Sequence, residues 1–177
     1  MRKTIFVLAF LLLLACNKDD NNSDTTNSFT YQGTGYELNN GLIWITNLWF
    51  KIELYSPGVE MTAGIPGVEP EYSGAGHFIY FGYMIPETSG EISEGEYTYS
   101  VSDFEPFTFT AGVIALDLDL SDYSGTIRDI TSGTVNVQKD GENWIIDFDV
   151  MLNDGESFTG NYSGDMYVWD DSIEDWI

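Results

Sequence analysis

Apolar and polar residues alternate with a period of two along most of this chain, and turn residues interrupt the pattern at short intervals. Examples are residues 50–55, 97–101 and 114–120. Successive side chains of a β-strand point to opposite faces, so such stretches predict strands with one buried and one solvated face. No segment combines a 3.6-residue apolar stripe with helix caps. The sequence therefore predicts an all-β protein with minimal helix content.

The alternation also predicts which side chains share a face. In residues 50–55 we expect the core to receive Phe50, Ile52 and Leu54. The alternate residues of this strand would then face water, and they are Lys51, Glu53 and Tyr55. In residues 114–120 we expect one core face formed by Ile114, Leu116, Leu118 and Leu120.

The last third of the chain predicts a three-stranded antiparallel meander. Alternating residues lie around 134–138, 144–150 and 158–168, with a type I′ turn predicted at Asp140-Gly141 and a second turn at 153–155. Earlier strands are predicted near 29–37, 42–55, 76–85, 95–103 and 107–120. Segment 56–75 contains three prolines and several glycines, which predict a long loop or a frayed edge.

About eight antiparallel strands in one domain must hide their edges by closing on themselves or by stacking as two sheets. Gly160 and Gly164 lie on the inward face of the last predicted strand and favour strong curvature. We therefore predict a single antiparallel β-barrel of about eight strands over residues 29–170. A two-sheet β-sandwich is the alternative. A tail of acidic and apolar residues, 171–177, follows the barrel.

The N-terminus has the three parts of a signal peptide. Arg2 and Lys3 are followed by the apolar residues 5–14 and by the small residue Ala15. This apolar run is too short to span a bilayer, which takes about 20 residues. We therefore predict a signal peptide over residues 1–15, directly followed by Cys16.

A small residue followed directly by Cys16 resembles the lipobox of bacterial lipoproteins. The resemblance implies cleavage before Cys16, a diacylglycerol on its sulfur and an acylated amine, and multiple acyl chains form a stable membrane anchor. The alternative is an ordinary secretory signal with a buried cysteine. Residues 17–28 contain no apolar side chain, so residues 16–28 are predicted to be a disordered tether.

The residues after the cysteine bear on the cellular location. Cys16-x-Lys18-Asp19-Asp20 resembles the lipoprotein export signal of Bacteroidetes-type bacteria. That resemblance implies a lipoprotein on the outer face of the outer membrane. A periplasm-facing lipoprotein with an acidic spacer is the alternative.

The charge of the chain excludes one class of partner. Removal of residues 1–15 takes away two basic residues and no acidic one, so the mature chain keeps four basic against 29 acidic residues. Its formal charge changes from −23 to −25. Such a surface repels phosphate backbones, which excludes nucleic-acid binding. With Cys16 lipidated, no thiol remains for a disulfide, a metal site or a nucleophile.

The sequence offers little for catalysis or metal binding. His77 is the only histidine, no Gly-x-Ser-x-Gly motif occurs, and we expect His77 at a strand end. Calcium uses oxygen ligands, so the clusters Asp117/Asp119/Asp122 and Asp147/Asp149 leave a calcium site as an alternative. Paired carboxylates could serve a glycosidase, but 29 acids create such pairs by chance. We predict a non-enzymatic protein with no catalytic residue, metal site or cofactor.

Aromatic residues offer a binding surface instead. Trp49 and Trp169 fall out of phase with the predicted core, so they are candidates for exposed aromatic contacts with a glycan or a protein. The alternative is that other parts of the chain cover them.

The body of the chain resembles one uncharacterised family. Glu-Gly-Glu-Tyr-Thr-Tyr at 94–99, Ser-Gly-Thr-Val-Asn-Val at 132–137, Trp-Ile-Ile-Asp-Phe-Asp at 144–149 and Phe-Thr-Gly-Asn-Tyr-Ser-Gly at 158–164 resemble the calycin-like (lipocalin-like) β-barrel lipoproteins of Bacteroidetes-type bacteria. The resemblance implies a barrel whose interior could hold a small apolar ligand. We expect a membrane-anchored binding protein for a small apolar molecule, a glycan or a protein. The alternatives are an accessory subunit of a surface complex without its own ligand and a glycan-active enzyme.

Overall fold

The structure is a computed structural model, and it describes residues 27–62 and 69–171. These residues form strands and turns and contain no helix, so the all-β prediction is confirmed. The strands are β1 (Ser28–Tyr31), β2 (Thr34–Glu37), β3 (Asn40–Ile45), β4 (Phe50–Tyr55), β5 (Val59–Thr62), β6 (Glu71–Met84), β7 (Gly95–Tyr99), β8 (Thr108–Phe109), β9 (Ala111–Asp119), β10 (Ser124–Asp140), β11 (Asn143–Leu152), β12 (Ser157–Gly164) and β13 (Tyr167–Asp170). Within this part of the chain, no helix has the length and apolar character needed to cross a membrane.

The strands form one strongly curled sheet, which is an open half-barrel. Its order is β13-β3-β4-β6-β9-β10-β11-β12-β1-β2, with β5 paired to β6, and β7 paired to β10 and β8. Most neighbours are antiparallel, but β13 runs parallel to β3 and β7 runs parallel to β8. The prediction of a purely antiparallel sheet is therefore wrong at these two pairs. The strands β13 and β2 lie at opposite ends of the sheet order.

The predicted meander at the end of the chain is confirmed as β10, β11 and β12. Asp140 pairs with Asn143, so the central turn residues are Gly141 and Glu142, one position later than predicted. Of these two, only Gly141 has a positive φ (64°). This fits a type II′ turn, whereas the predicted type I′ turn needs a positive φ at both central residues. Strand β10 is also longer than predicted, since it begins at Ser124.

The first half of the chain is divided more finely than the alternation predicts. Residues 29–37 form the hairpin of β1 and β2, and residues 42–55 lie in the hairpin of β3 and β4. Segment 56–75 is not simply a loop, because it contains β5 and the beginning of β6. Asn27 and Ser28 belong to the folded part rather than to a tether, since Ser28 begins β1 and the Asn27 side chain bonds to both the N–H and the C=O of Ser163.

The main core lies on the concave side of the sheet. The rings of Phe81 on β6 and Phe148 on β11 are 5.5 Å apart, although two strands separate β6 from β11 in the sheet order. Trp144, Phe148 and Tyr162 are all buried in this core. The concave side is therefore packed with side chains, and the pocket considered below lies on the opposite face.

Several predictions fall on parts of the chain that the structure does not describe. The signal peptide 1–15, the lipidated Cys16 and the export residues Lys18, Asp19 and Asp20 lie outside the described residues. Of the predicted tail, only Asp171 is described, and its N–H donates to the carbonyl oxygen of Ile45. These assignments remain predictions from the sequence.

Candidate functional site

A second apolar cluster lies on the convex, outer face of the sheet. Its buried members are Leu42, Tyr55, Val59 and Trp169. The hairpin formed by β5 and the first part of β6 supplies Val59 and, packed against the cluster, Met61 and Tyr72. The outer face of β4 is therefore buried, and the prediction that Lys51, Glu53 and Tyr55 face water is wrong for Glu53 and Tyr55, which are 5% and 3% exposed.

A bulge in β9 brings two further leucines to this outer face. Gly76 pairs with Leu118 whereas Phe78 pairs with Ala115, so β9 has one more residue here than β6. Asp117, within the extra stretch, has a φ of 51°, which is uncommon for a residue other than glycine. Such an insertion reverses the faces of the residues after it. Leu116 consequently lies in the main core while Leu118 lines the outer pocket, so the predicted single face of residues 114–120 is wrong.

His77 holds this bulge. Its Nδ1 accepts a hydrogen bond from the backbone N–H of Asp117 at 3.1 Å, and its ring packs against those of Phe29 and Tyr36. Burial lowers the pKa of His77 below its usual value, partly offset by the Asp117 carboxylate. His77 lies within β6 rather than at the predicted strand end. The geometry gives His77 a structural task, which is to hold the backbone of β9 at the bulge.

The outer face contains a pocket of about 290 Å³ between β4, β6, β9 and β10. Apolar side chains form most of its wall, and Tyr123 and Ile127, which are 77% and 53% exposed, stand at its rim. The lining residues are Glu53, Tyr55, Val59, Tyr72, Phe78, Val113, Ala115, Leu118, Leu120, Tyr123 and Ile127. This volume lies at the small end of the range typical of ligand pockets.

One buried carboxylate forms the polar end of the pocket. Glu53 Oε1 pairs with the Lys51 ammonium at 2.8 Å, and Glu53 Oε2 accepts hydrogen bonds from the hydroxyls of Tyr55 and, at 2.8 Å, of Tyr72. The Lys51 ammonium also lies 4.4 Å from the centre of the Trp44 ring. Both carboxylate oxygens are thus bonded, as a charge in a buried position requires.

The tyrosines around Glu53 hold their protons firmly. Burial, followed by the Glu53 carboxylate, raises the pKa of Tyr55 and of Tyr72 well above the usual phenol value. Burial likewise raises the pKa of Tyr80, the next aromatic residue on this face, to about 12. The hydroxyls of Tyr55 and Tyr72 are therefore donors to Glu53 at neutral pH.

The two tryptophans proposed as exposed contacts have different environments. Trp169 is only 8% exposed and packs against Trp44 at 5.7 Å, so its prediction as an exposed contact is wrong and the alternative of a covered ring applies. Its indole N–H has no hydrogen-bond partner among the described residues. Trp49 is partly buried at the β3–β4 turn, where its ring meets that of Tyr83 at 4.9 Å. Neither tryptophan lines the pocket.

Two of the aspartates that could serve calcium accept local hydrogen bonds instead. Asp119 and Asp122 each accept a hydrogen bond from the backbone N–H two residues later, which is a common turn arrangement. Across residues 27–62 and 69–171, no group of three or more His, Cys, Asp or Glu side chains is arranged to hold a metal ion.

Sequence reasoning missed most residues of the pocket, although one signal was present. Residues 78–81 of β6 and 112–116 of β9 are apolar or aromatic at nearly every position. A strand that is apolar on both faces is typical of a sheet covered on both sides. A strict period of two instead assigns the second buried face of such strands to water.

The comparisons with known proteins give no further assignment. No protein-family model, curated protein or solved structure matches this chain.

Proposed function

We propose that this protein is a membrane-anchored, non-enzymatic lipoprotein that binds a small, mostly apolar molecule in the pocket on the outer face of its sheet. The supporting observation is the pocket itself, which combines an apolar wall with a single polar end at Glu53. Ligand pockets typically have this composition, because apolar area supplies affinity and a few polar groups fix orientation. A calycin-like barrel remains our proposal for the complete fold.

The sequence supports the anchoring part of the proposal. Arg2, Lys3, the apolar run and Ala15 precede Cys16 at the offsets of a lipobox. Lys18, Asp19 and Asp20 resemble an export signal for the cell surface. We therefore propose attachment to the outer membrane through the lipids on Cys16, with the folded part outside the cell. A periplasm-facing orientation is the alternative.

The pocket suits binding better than acid–base chemistry. A glycosidase needs two carboxylates about 5–10 Å apart on either side of the scissile bond. The described pocket wall contains one carboxylate, Glu53, and both of its oxygens are already bonded. This arrangement favours a binding protein over a glycan-active enzyme.

Binding of a fluorescent apolar probe tests the proposal. N-phenylnaphthylamine would be titrated into the mature chain from residue 16 carrying Cys16→Ser, so that neither acyl chains nor detergent compete. Ala115 is 3% exposed and lines the pocket, so Ala115→Leu would place three further carbon atoms in the pocket space. We expect Ala115→Leu to weaken probe binding by about tenfold or more, with no loss of stability in urea.

The matched control introduces the same residue elsewhere on the outer surface. Thr159 is exposed on β12 and does not line the pocket, so Thr159→Leu should leave probe binding unchanged. Equal binding by both variants would show that the probe binds elsewhere and would remove the support for this site. If the parent protein binds no probe at all, the alternative of an accessory subunit without its own ligand would be favoured.

A further inference from the structure

The polar end of the pocket has a specific inventory of donors and acceptors. The Tyr55 and Tyr72 hydroxyls each have one proton, and both protons are directed to Glu53 Oε2. A phenol oxygen that has donated its proton retains the capacity to accept. The Glu53 carboxylate can only accept as well. The polar atoms that these three lining residues offer to a ligand are therefore acceptors.

The charge at this end of the pocket is already balanced. The Lys51 ammonium lies 2.8 Å from Glu53 Oε1. The acidic chain attracts a cationic ligand at long range, but inside the pocket that ligand would lose its hydration and meet a carboxylate that already has a counter-ion. An anionic ligand would face Glu53 itself and a chain whose formal charge is strongly negative. We therefore expect a charged ligand to gain less binding free energy in this pocket than a neutral ligand that donates a hydrogen bond.

We infer that the pocket selects a neutral apolar molecule bearing one hydroxyl or N–H donor, in preference to a carboxylate, an ammonium or an ether of the same size. This inference rests on the proposed function, because it concerns the same pocket. A ligand without a donor would desolvate the tyrosine oxygens, which keep their bonds to Glu53, and would leave their acceptor capacity unused, which costs free energy. A ligand with a donor would satisfy one of them.

Four probes of matched length test the selection. Decanol and methoxynonane are isomers, but only decanol can donate a hydrogen bond; decanoate and decylammonium add one charge of either sign. Each would displace N-phenylnaphthylamine from the mature chain carrying Cys16→Ser. We expect decanol to bind about tenfold more tightly than each of the other three probes.

The outcomes separate this inference from the proposed function. If all four probes bind equally and Ala115→Leu weakens all of them, the pocket is a binding site but the inference is wrong. Tightest binding by methoxynonane, decanoate or decylammonium would also overturn the inference. If no probe binds, the proposed function itself fails.

A double variant should alter the selection in a predictable direction. Lys51→Met/Glu53→Leu removes both charges and frees the two tyrosine protons, so the pocket gains donors. The advantage of decanol over methoxynonane should then fall to about twofold or less. Using the ratio of two affinities cancels any general change in the pocket.

The chain contains a matched control for this variant. Asp154 Oδ2 accepts hydrogen bonds from Arg128 Nε at 2.8 Å and from the Tyr31 hydroxyl at 2.9 Å. A carboxylate bonded by a cation and a tyrosine hydroxyl, as at Glu53, therefore also occurs away from the pocket. Arg128→Met/Asp154→Leu should leave the decanol advantage unchanged. If the two double variants give the same ratio, the Glu53 cluster does not determine the selection and the inference is overturned.

Discussion

The buried ion pair beneath the pocket allows a quantitative prediction of stability. The Lys51 and Glu53 side chains are 19% and 7% exposed, and the Glu53 carboxylate has no other cationic partner among the described residues. Lys51→Met would leave this carboxylate buried with only the hydroxyls of Tyr55 and Tyr72 as donors. Removing one partner of a buried pair is costly because the remaining charge is uncompensated.

The expected loss follows from the degree of burial. Breaking a fully buried pair costs about 3–5 kcal/mol, and the partial exposure of Lys51 and the two remaining hydrogen bonds place this variant near the lower limit, at about 3 kcal/mol. With a urea slope of about 2 kcal/mol/M, the unfolding midpoint should fall by about 1.5 M. Lys51→Met/Glu53→Leu has no uncompensated charge, but it leaves the hydroxyls of Tyr55 and Tyr72 without their acceptor, so it should recover only part of this loss.

Urea unfolding followed by tryptophan fluorescence measures these differences, with the more exposed Arg128–Asp154 pair as the control. Arg128→Met should shift the midpoint far less than Lys51→Met, because water solvates the remaining charge. A midpoint for Lys51→Met within about 0.3 M of the parent protein would refute the reasoning. A double variant no more stable than Lys51→Met would refute it equally.

Three further predictions concern other parts of the chain. The pKa of His77 is lowered in the folded protein, so the unfolded chain binds a proton at this residue more readily. Stability should therefore fall as the pH drops from about 7.5 to about 5.5. The urea midpoints of His77→Gln should depend less on pH in that window. Gly133 has a φ of 112°, and an added Cβ would collide with the Asp149 carbonyl oxygen, so Gly133→Ala should cost more than about 1 kcal/mol. Thermal unfolding should show a smaller loss for Gly141→Ala, where nothing lies within 4 Å of an added Cβ. In cells, Cys16→Ser should abolish labelling with a radioactive fatty acid and leave unprocessed precursor, whereas normal labelling and processing would contradict the lipobox.

The predicted elements that agree best with the structure are those determined locally. Residues 134–164 form a meander because alternation and turn residues specify adjacent strands that pair with each other in order. Even the error at Asp140-Gly141 is a shift of one residue, which retains the pairing of the two strands. Local pattern is sufficient here because each strand follows its partner directly in the sequence.

The faces of β4 show where local pattern is insufficient. Glu53 and Tyr55 alternate with core residues and have polar atoms, so the pattern assigns them to water. They are buried because the hairpin of β5 and β6, which comes from a segment rich in proline and glycine, packs Val59 against the same face. This burial comes from a tertiary contact, so the alternation of apolar and polar residues within β4 does not indicate it.

The pocket combines the positions at which single-strand rules fail. A strict alternation through residues 114–120 places Leu118 in the core, whereas the bulge at Asp117 turns it to the outer pocket. Stability alone would favour an apolar residue over a buried carboxylate at position 53, because even a paired buried charge is seldom a net gain. A positive φ at a non-glycine residue and a buried ion pair both cost free energy, and such exceptions concentrate at functional sites. The buried ion pair and the bulge that turns Leu118 outward both adjoin this cavity, which supports the choice of this face, rather than the packed interior, as the place to search for a ligand.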